Sequence, residues 1–318
     1  MLNFPPQEFF QSIDSSDLRV TRPRKFIFLC GGIIDPKAER PPSARESFLR
    51  SLAYRSQFEN HEIVLAEQID TFYPDSPYKN LIKFEFDIAE ISDSVVLFSE
   101  GFGSLAELGV FSQIDAIADR MMVIIQNSHY ESKSFIRDGP IRHLQDRDSR
   151  SIQVFGWTTV NDGGVLRLDE ESFDFQIEDM KSAVRNRLAE MPDLMTFKVA
   201  DFGHKIMMTA AVCDVFGAAT FEDVKKSLTE MKIDSSRDEI RRMLFCARAV
   251  GWLLLKQRGH TKFYLPNFER APCNFSYGPL ARHNDTMRWK RDIRAFWKEN
   301  DRLRSRLITE HPRKGSGA

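Results

Sequence analysis

Cysteine is scarce and scattered: four occur in the 318 residues, at positions 30, 213, 246 and 273. None falls in a CxxC pair, which argues against a zinc site, and no metal is expected. Buried free thiols in a reducing compartment are the simpler reading. Long apolar runs are missing as well. No stretch reaches the about 18–20 residues of a membrane span, so no membrane association is expected. Residues 1–17 are acidic and lack the basic-then-apolar pattern of a signal peptide, and the expected location is cytoplasmic. No internal repeat or low-complexity tract stands out. What is present is an ordinary globular composition, 42% hydrophobic and 29% charged, with 26 Phe to fill cores. At roughly 100–200 residues per domain the length predicts two domains.

The near-neutral total hides an asymmetry. From position 198 to 314 there are 24 Lys and Arg against 14 Asp and Glu, a net of +10, so the rest of the chain carries −11. A basic half beside an acidic half points to a polyanionic partner for the former.

Patterning predicts four segments: an irregular arm over 1–20 with a short helix at 6–12, an α/β domain over 21–192, a small domain over 193–270, and a basic helical tail over 271–318. In the α/β domain, short apolar runs at 25–30, 62–66, 94–98, 121–126 and 151–155 read as buried strands, with helical periodicity between them at 43–57, 81–92, 105–119 and 172–191. This alternation is the signature of a doubly wound parallel sheet, whose ligands sit at the carboxyl ends of the strands. Beyond Pro192, helices at 202–215, 220–228 and 237–250 precede two short strands joined by Arg258, Gly259 and His260. Thr220 with Asp223 three residues on is a near capping box. Three helices and a hairpin predict a winged helix-turn-helix. Its recognition helix, 237–250, would carry Arg237, Arg241 and Arg242, and its wing Lys256, Arg258, His260 and Lys262. Basic residues on both elements suit phosphate contacts to a duplex, without a visible base-reading code. The tail reads as one helix over 286–309, basic and carrying Trp289, Phe296 and Trp297.

The stretch from Asp87 to Gly109 is the most informative. A helix ends near Asp93, a buried strand follows, and the Gly-rich loop Ser99–Ser104 opens a helix carrying Glu107 in its first turn. Glycines let the backbone come close to a ligand. Gly103 and Ser104 would present N–H groups at a helix start, suited to a phosphate or a sugar. A carboxylate at Glu107 could attack an anomeric carbon or stabilise an oxocarbenium-like centre. Asp87 or Glu85 could position the sugar or move a proton. Gly31, Gly32, Ser99 and Asn127, also at strand ends, complete the candidate substrate contacts. On spacing alone, Glu107 could equally be complementing the helix dipole.

The N-terminal half resembles the nucleoside deoxyribosyltransferase-like superfamily. The matching elements are Cys30-Gly31-Gly32, Asp87 six residues before Asp93, and Gly103-Ser104-Leu105-Ala106-Glu107-Leu108-Gly109. The resemblance implies that Glu107 is the nucleophile or transition-state carboxylate and that Asp87 holds the sugar. Cytokinin-activating phosphoribohydrolases carry a similar Gly-Thr-x-x-Glu element and also cleave N-ribosyl bonds. The short loop Glu100–Phe102 departs from transferases that carry a further Asp there, which favours hydrolysis over base exchange.

A second resemblance, through residues 28–32, 72–74, 103–112 and 132–140, is to toxic effectors of retrons, antiphage systems built from a reverse transcriptase and a branched RNA–DNA molecule. It implies hydrolysis of NAD or a related nucleotide, with NAD as substrate and no cofactor. It also implies partnership with the reverse transcriptase and its nucleic acid, and a homo-oligomer or filament. Two other readings compete: a glycosidase that removes bases from deoxynucleotides or DNA, and a non-enzymatic regulator that senses a nucleotide and binds an operator.

Overall fold

The computed structural model describes residues 4–52, 58, 60–65, 67–68, 76–162 and 165–311. Phe72, Tyr73 and Pro74, and positions 53–57 of the expected 43–57 helix, lie outside the described residues. The protein is mixed α/β. Its chain divides into two compact units: a sheet unit of Lys25–Asp70 and Ser92–Met191, and a helical unit of Met1–Arg24, Thr71–Ile91 and Pro192–Ala318. The division departs from the sequence boundaries in that the N-terminal arm and helix Leu81–Ile91 group with the C-terminal residues.

In the sheet unit, five parallel strands run in the order His61–Leu65, Lys25–Cys30, Ser94–Ser99, Met121–Gln126, Ile152–Phe155. The three central strands are buried along almost their whole length. That is why they read as continuous apolar runs rather than alternating ones. One face packs Ile27, Leu29, Val96, Phe98, Met122 and Ile124 against Phe48 of helix Ala44–Leu52 and against Phe173, Met180 and Val184 of helix Glu170–Ala189. Asp93 sits where the chain enters the sheet: its N–H donates to Phe26 O at 2.9 Å, and its carboxylate accepts from Phe26 N at 3.1 Å. In sequence order the strands run 2-1-3-4-5, so connections leave in opposite senses from Lys25–Cys30 and Ser94–Ser99. This reversal is the switch point where open α/β sheets form their ligand crevice. The expected 105–119 helix is two helices, Phe102–Phe111 and Asp115–Ala118, with extended Ile114 capping the second.

The helical unit is built on Phe202–Phe216, a helix buried on nearly every side, as a helix apolar all round must be. Around it lie Pro5–Gln11, Leu81–Ile91, Phe221–Glu230 and Arg237–Ala249. Thr220 and Asp223 form the capping box the sequence suggested, and Ser236 with Glu239 forms another. The antiparallel hairpin Leu253–Arg258/Thr261–Pro266 closes through Gly259 and His260. Gly259 supplies the positive φ, +58°, that a two-residue hairpin turn needs. Short strands Arg19–Val20, Met195–Thr196 and Cys273–Asn274 form a three-stranded antiparallel sheet.

The tail is two helices, Thr286–Asn300 and Arg302–Glu310. The break falls at Asp301 (φ −141°, ψ 80°), whose carboxylate caps the second helix through Arg304 N at 2.9 Å. Trp289 and Trp297 are buried. So are two of its cations: Lys290 pairs with Asp214 at 2.5 Å, and Arg304 stacks over Trp297 at 4.1 Å. All four cysteines are free and buried. Among the described residues no helix is long and apolar enough to cross a membrane.

Candidate active site

Two loops of the sheet unit flank the switch point. The first leaves Cys30 through Gly31 and Gly32 and ends in helix Ala44–Leu52. The second leaves Ser99 through Glu100 and Gly101 and ends in helix Phe102–Phe111. Glu100 ties them together: its carboxylate accepts from Gly32 N at 3.0 Å, Ala44 N at 2.7 Å and Arg45 N at 3.0 Å. Gly32 is glycine because that carboxylate is there; a Cβ would stand 2.8 Å from Glu100 Cδ and from Ser43 Cβ. Gly31, at φ +152°, would place a Cβ 2.8 Å from Phe98 Cβ. What the Gly-Gly pair lets approach is therefore the protein itself.

Ser104 is buried, and its hydroxyl folds the second loop. It accepts from Gly101 N at 3.0 Å and Glu100 N at 3.2 Å and donates to Gly101 O at 2.9 Å. Gly101 caps the helix without a side chain, so the N–H groups of the helix's first turn find no intrahelical partner. Gly101 and Gly103 have open space where a Cβ would stand.

Glu107 lies one turn further into this helix. Its Oε2 is buried and has no hydrogen-bond partner among the described residues. Burial pushes the carboxyl up to about 7; the Arg45 cation opposes that rise and Glu67 adds to it. Arg45 is 1% exposed. Its guanidinium donates to Leu29 O at 3.3 Å and pairs with Glu67, while its Nε, also buried, is left without a partner. The site thus holds a desolvated carboxyl with one unpartnered oxygen beside a fixed cation. That is the arrangement expected of a group that meets positive charge developing on a ligand.

Ser99 is buried at the end of its strand. Asn127 opens helix Asn127–Glu131 on the next strand and gives its side-chain amide to Glu131 at 3.0 Å. Asp87 and Glu85 are buried in the helical unit, on helix Leu81–Ile91. Asp87 Oδ2 accepts from Tyr78 OH at 2.5 Å and from Arg242 Nε and Nη2 at 2.9 and 2.5 Å. Its Oδ1 makes no hydrogen bond and stands 3.4 Å from Lys83 Nζ. Arg242 is thus held inside its own unit, with Phe202 under its guanidinium at 4.3 Å. Arg237 and Arg241 are exposed and paired with Glu222 at 3.0 Å and Asp238 at 2.8 Å. On the hairpin, Arg258, His260 and Lys262 are exposed and Lys256 is half-buried. Arg258 reaches Glu310 at 3.4 Å. No group of three potential metal ligands occurs among the described residues.

Sequence reasoning missed Arg45, Glu67 and Glu100. The one local signal was an acid placed directly after the last residue of a buried strand, at Glu100. Arg45 and Glu67 join the site only through long-range packing.

Residues 41–255 match the family described as "STM3845 retron effector protein". The chain is 28% identical over 131 residues to an Escherichia coli protein named "Retron Ec73 putative ribosyltransferase/DNA-binding protein". It is 32% identical over 136 residues to the Escherichia coli "Retron Ec86 putative ribosyltransferase/DNA-binding protein". Each alignment takes in 40% of this chain, and it spans only 40% and 39% of the two relatives' own lengths. The family match covers more than half of the sequence, and the chain belongs to the STM3845 retron effector protein family.

Proposed function

We propose that this retron effector is an N-glycosidase that hydrolyses the N-ribosyl bond of NAD or a related nucleotide. Glu107 acts at the ribosyl anomeric carbon, by attack or by stabilising the cationic centre. The carbon–nitrogen bond breaks with its electron pair leaving on the base, and water then restores the carboxylate and releases the ribosyl product. The observation that carries this reading is the buried, unpartnered Oε2 of Glu107 at the switch point. NAD is favoured by the chemistry of departure. Nicotinamide leaves a pyridinium as a neutral molecule and needs no proton donor, whereas a purine base generally must be protonated to leave. Among the described residues nearby, Glu100 is committed to three N–H groups and Glu67 to Arg45. Asp87, which the resemblance gives the role of holding the sugar, is tied within its own unit to Tyr78, Arg242 and Lys83. The fold is read as deoxyribosyltransferase-like, the three helices and hairpin as a winged helix, and the setting as cytoplasmic.

Incubating the protein, alone and with its genomic partners, with NAD and a nucleotide panel and identifying released bases by mass tests the reading. Released nicotinamide supports it. Released adenine or cytosine in its place assigns the enzyme to base removal from deoxynucleotides or DNA. No base from any substrate leaves the nucleotide-sensing regulator.

The winged helix is proposed to bind the branched RNA–DNA molecule and its reverse transcriptase, which restrain the toxin in a homo-oligomeric or filamentous assembly. The hairpin carries the phosphate contacts in this reading, because Lys256, His260 and Lys262 have no ion pair among the described residues, while Arg237, Arg241 and Arg242 each have a carboxylate partner. Lys256→Ala/Lys262→Ala is expected to flatten the salt dependence of binding to duplex by about 2 in log–log slope. Arg237→Ala/Arg241→Ala should change that slope by less than half as much. The reverse order would place the contact on the helix.

A further inference from the structure

The first turn of this sheet has the form of a phosphate cradle and is already full. In doubly wound sheets the glycine turn after a central strand leads into a helix whose first N–H groups hold an anion. Here that turn is Gly31-Gly32 and the helix is Ala44–Leu52. The three N–H groups converging on the anion position, those of Gly32, Ala44 and Arg45, all donate to one carboxylate at 2.7–3.0 Å. That carboxylate is Glu100, delivered from the end of the neighbouring strand across the switch point. The fit is mutual: a Cβ at Gly32 would stand 2.9 Å from Glu100 Oε1.

We infer that the Glu100 carboxyl is a built-in occupant that closes the first-turn cradle to phosphate, so that the site takes ribosyl ligands whose phosphate groups lie outside that turn. The inference rests on the ribosyl-site reading above and restricts it. Gly31 and Gly32 then serve the ligand indirectly, by letting Glu100 lock the two loops and set Arg45 at the carboxylate of Glu107. A phosphate entering the cradle would find all three donors occupied by the Glu100 carboxyl. Removing the carboxylate frees the donors and the positive end of the helix dipole together.

The test uses inorganic phosphate on the 318-residue chain, followed by amide NMR. In the wild type, phosphate should leave the amides of Gly32, Ala44 and Arg45 unmoved. In Glu100→Ala the same amides should shift, with phosphate binding at least about tenfold tighter than to the wild type, as expected for three freed charge-assisted donors. Glu100→Ser serves if the alanine variant does not fold. Shifts of these amides in the wild type, or a folded variant no more responsive than wild type, would overturn the proposal. Base release is not read in this experiment. A cradle that opens in the variant while the wild type cleaves nothing would sink the glycosidase reading alone, and a cleaving enzyme whose cradle does not respond would sink only the role of Glu100.

Discussion

Glu107→Gln should reduce kcat/KM for base release by roughly three orders of magnitude or more, the scale on which removal of a reacting or charge-stabilising group acts, while the chain stays folded. The substitution keeps the shape of the side chain and removes the charge. Because burial holds the wild-type carboxyl near 7, kcat/KM, which reports the free enzyme, should rise through about pH 7 and level off above it. The same shift has a consequence for stability. A carboxyl whose folded pKa lies above its unfolded value favours the folded state below the unfolded pKa, and this contribution is lost as pH rises through the folded pKa. The site is therefore strained in alkali and relaxed in acid. Glu107→Gln, which has no charge to desolvate, should be more stable than wild type at pH 8 by on the order of 1–3 kcal/mol, and the gain should vanish near pH 4. Urea unfolding at the two pH values measures it. A variant that loses activity, gains stability only at high pH and keeps its amide spectrum would have lost a functional charge. Full activity in a well-folded variant would end the catalytic assignment.

The parts of this protein that could be read in advance are those fixed by local physics. The three central strands were visible because a strand buried on both faces has to be apolar throughout, and the Thr220 cap because it is closed within four residues. The helix start that carries Glu107 was visible because it is contiguous in sequence. What was hidden depends on pairing at a distance. Counting Lys290 and Arg304 as part of a basic surface ignored that each could be taken inside by a partner, Asp214 and Asp223, more than 70 residues away. The break at Asp301 was masked because the apolar periodicity runs through it. Gly32 read as a ligand-approach glycine because the sequence does not show that the approaching group is Glu100, 68 residues on. Helix Leu81–Ile91 grouped with the C-terminal residues because its buried carboxylate, Asp87, has its cation on Arg237–Ala249.

That last pair gives the second large effect. Arg242→Ala should destabilise the helical unit by about 2–4 kcal/mol, slightly below the full cost of breaking a buried ion pair because Arg242 is partly exposed. Arg237→Ala and Arg241→Ala, whose ion pairs lie in solvent, should each stay within about 0.5 kcal/mol of wild type. The asymmetry follows from Asp87, which is 0% exposed. Without Arg242, its Oδ2 keeps only the Tyr78 hydroxyl, and its charge faces Lys83 at 3.4 Å. Removing both partners should hurt less than the sum: in Asp87→Asn/Arg242→Ala the coupling should recover about 1–3 kcal/mol of the two single losses. Denaturant titration of the four proteins measures this. An Arg242→Ala chain as stable as wild type that has lost nucleic-acid affinity would return Arg242 to the interface. The same series separates the two roles of Asp87. If Asp87→Asn loses base release only in proportion to its unfolded fraction, the carboxylate acts by holding Arg242. If the loss persists where the variant is fully folded, the carboxylate has a role in base release beyond holding Arg242.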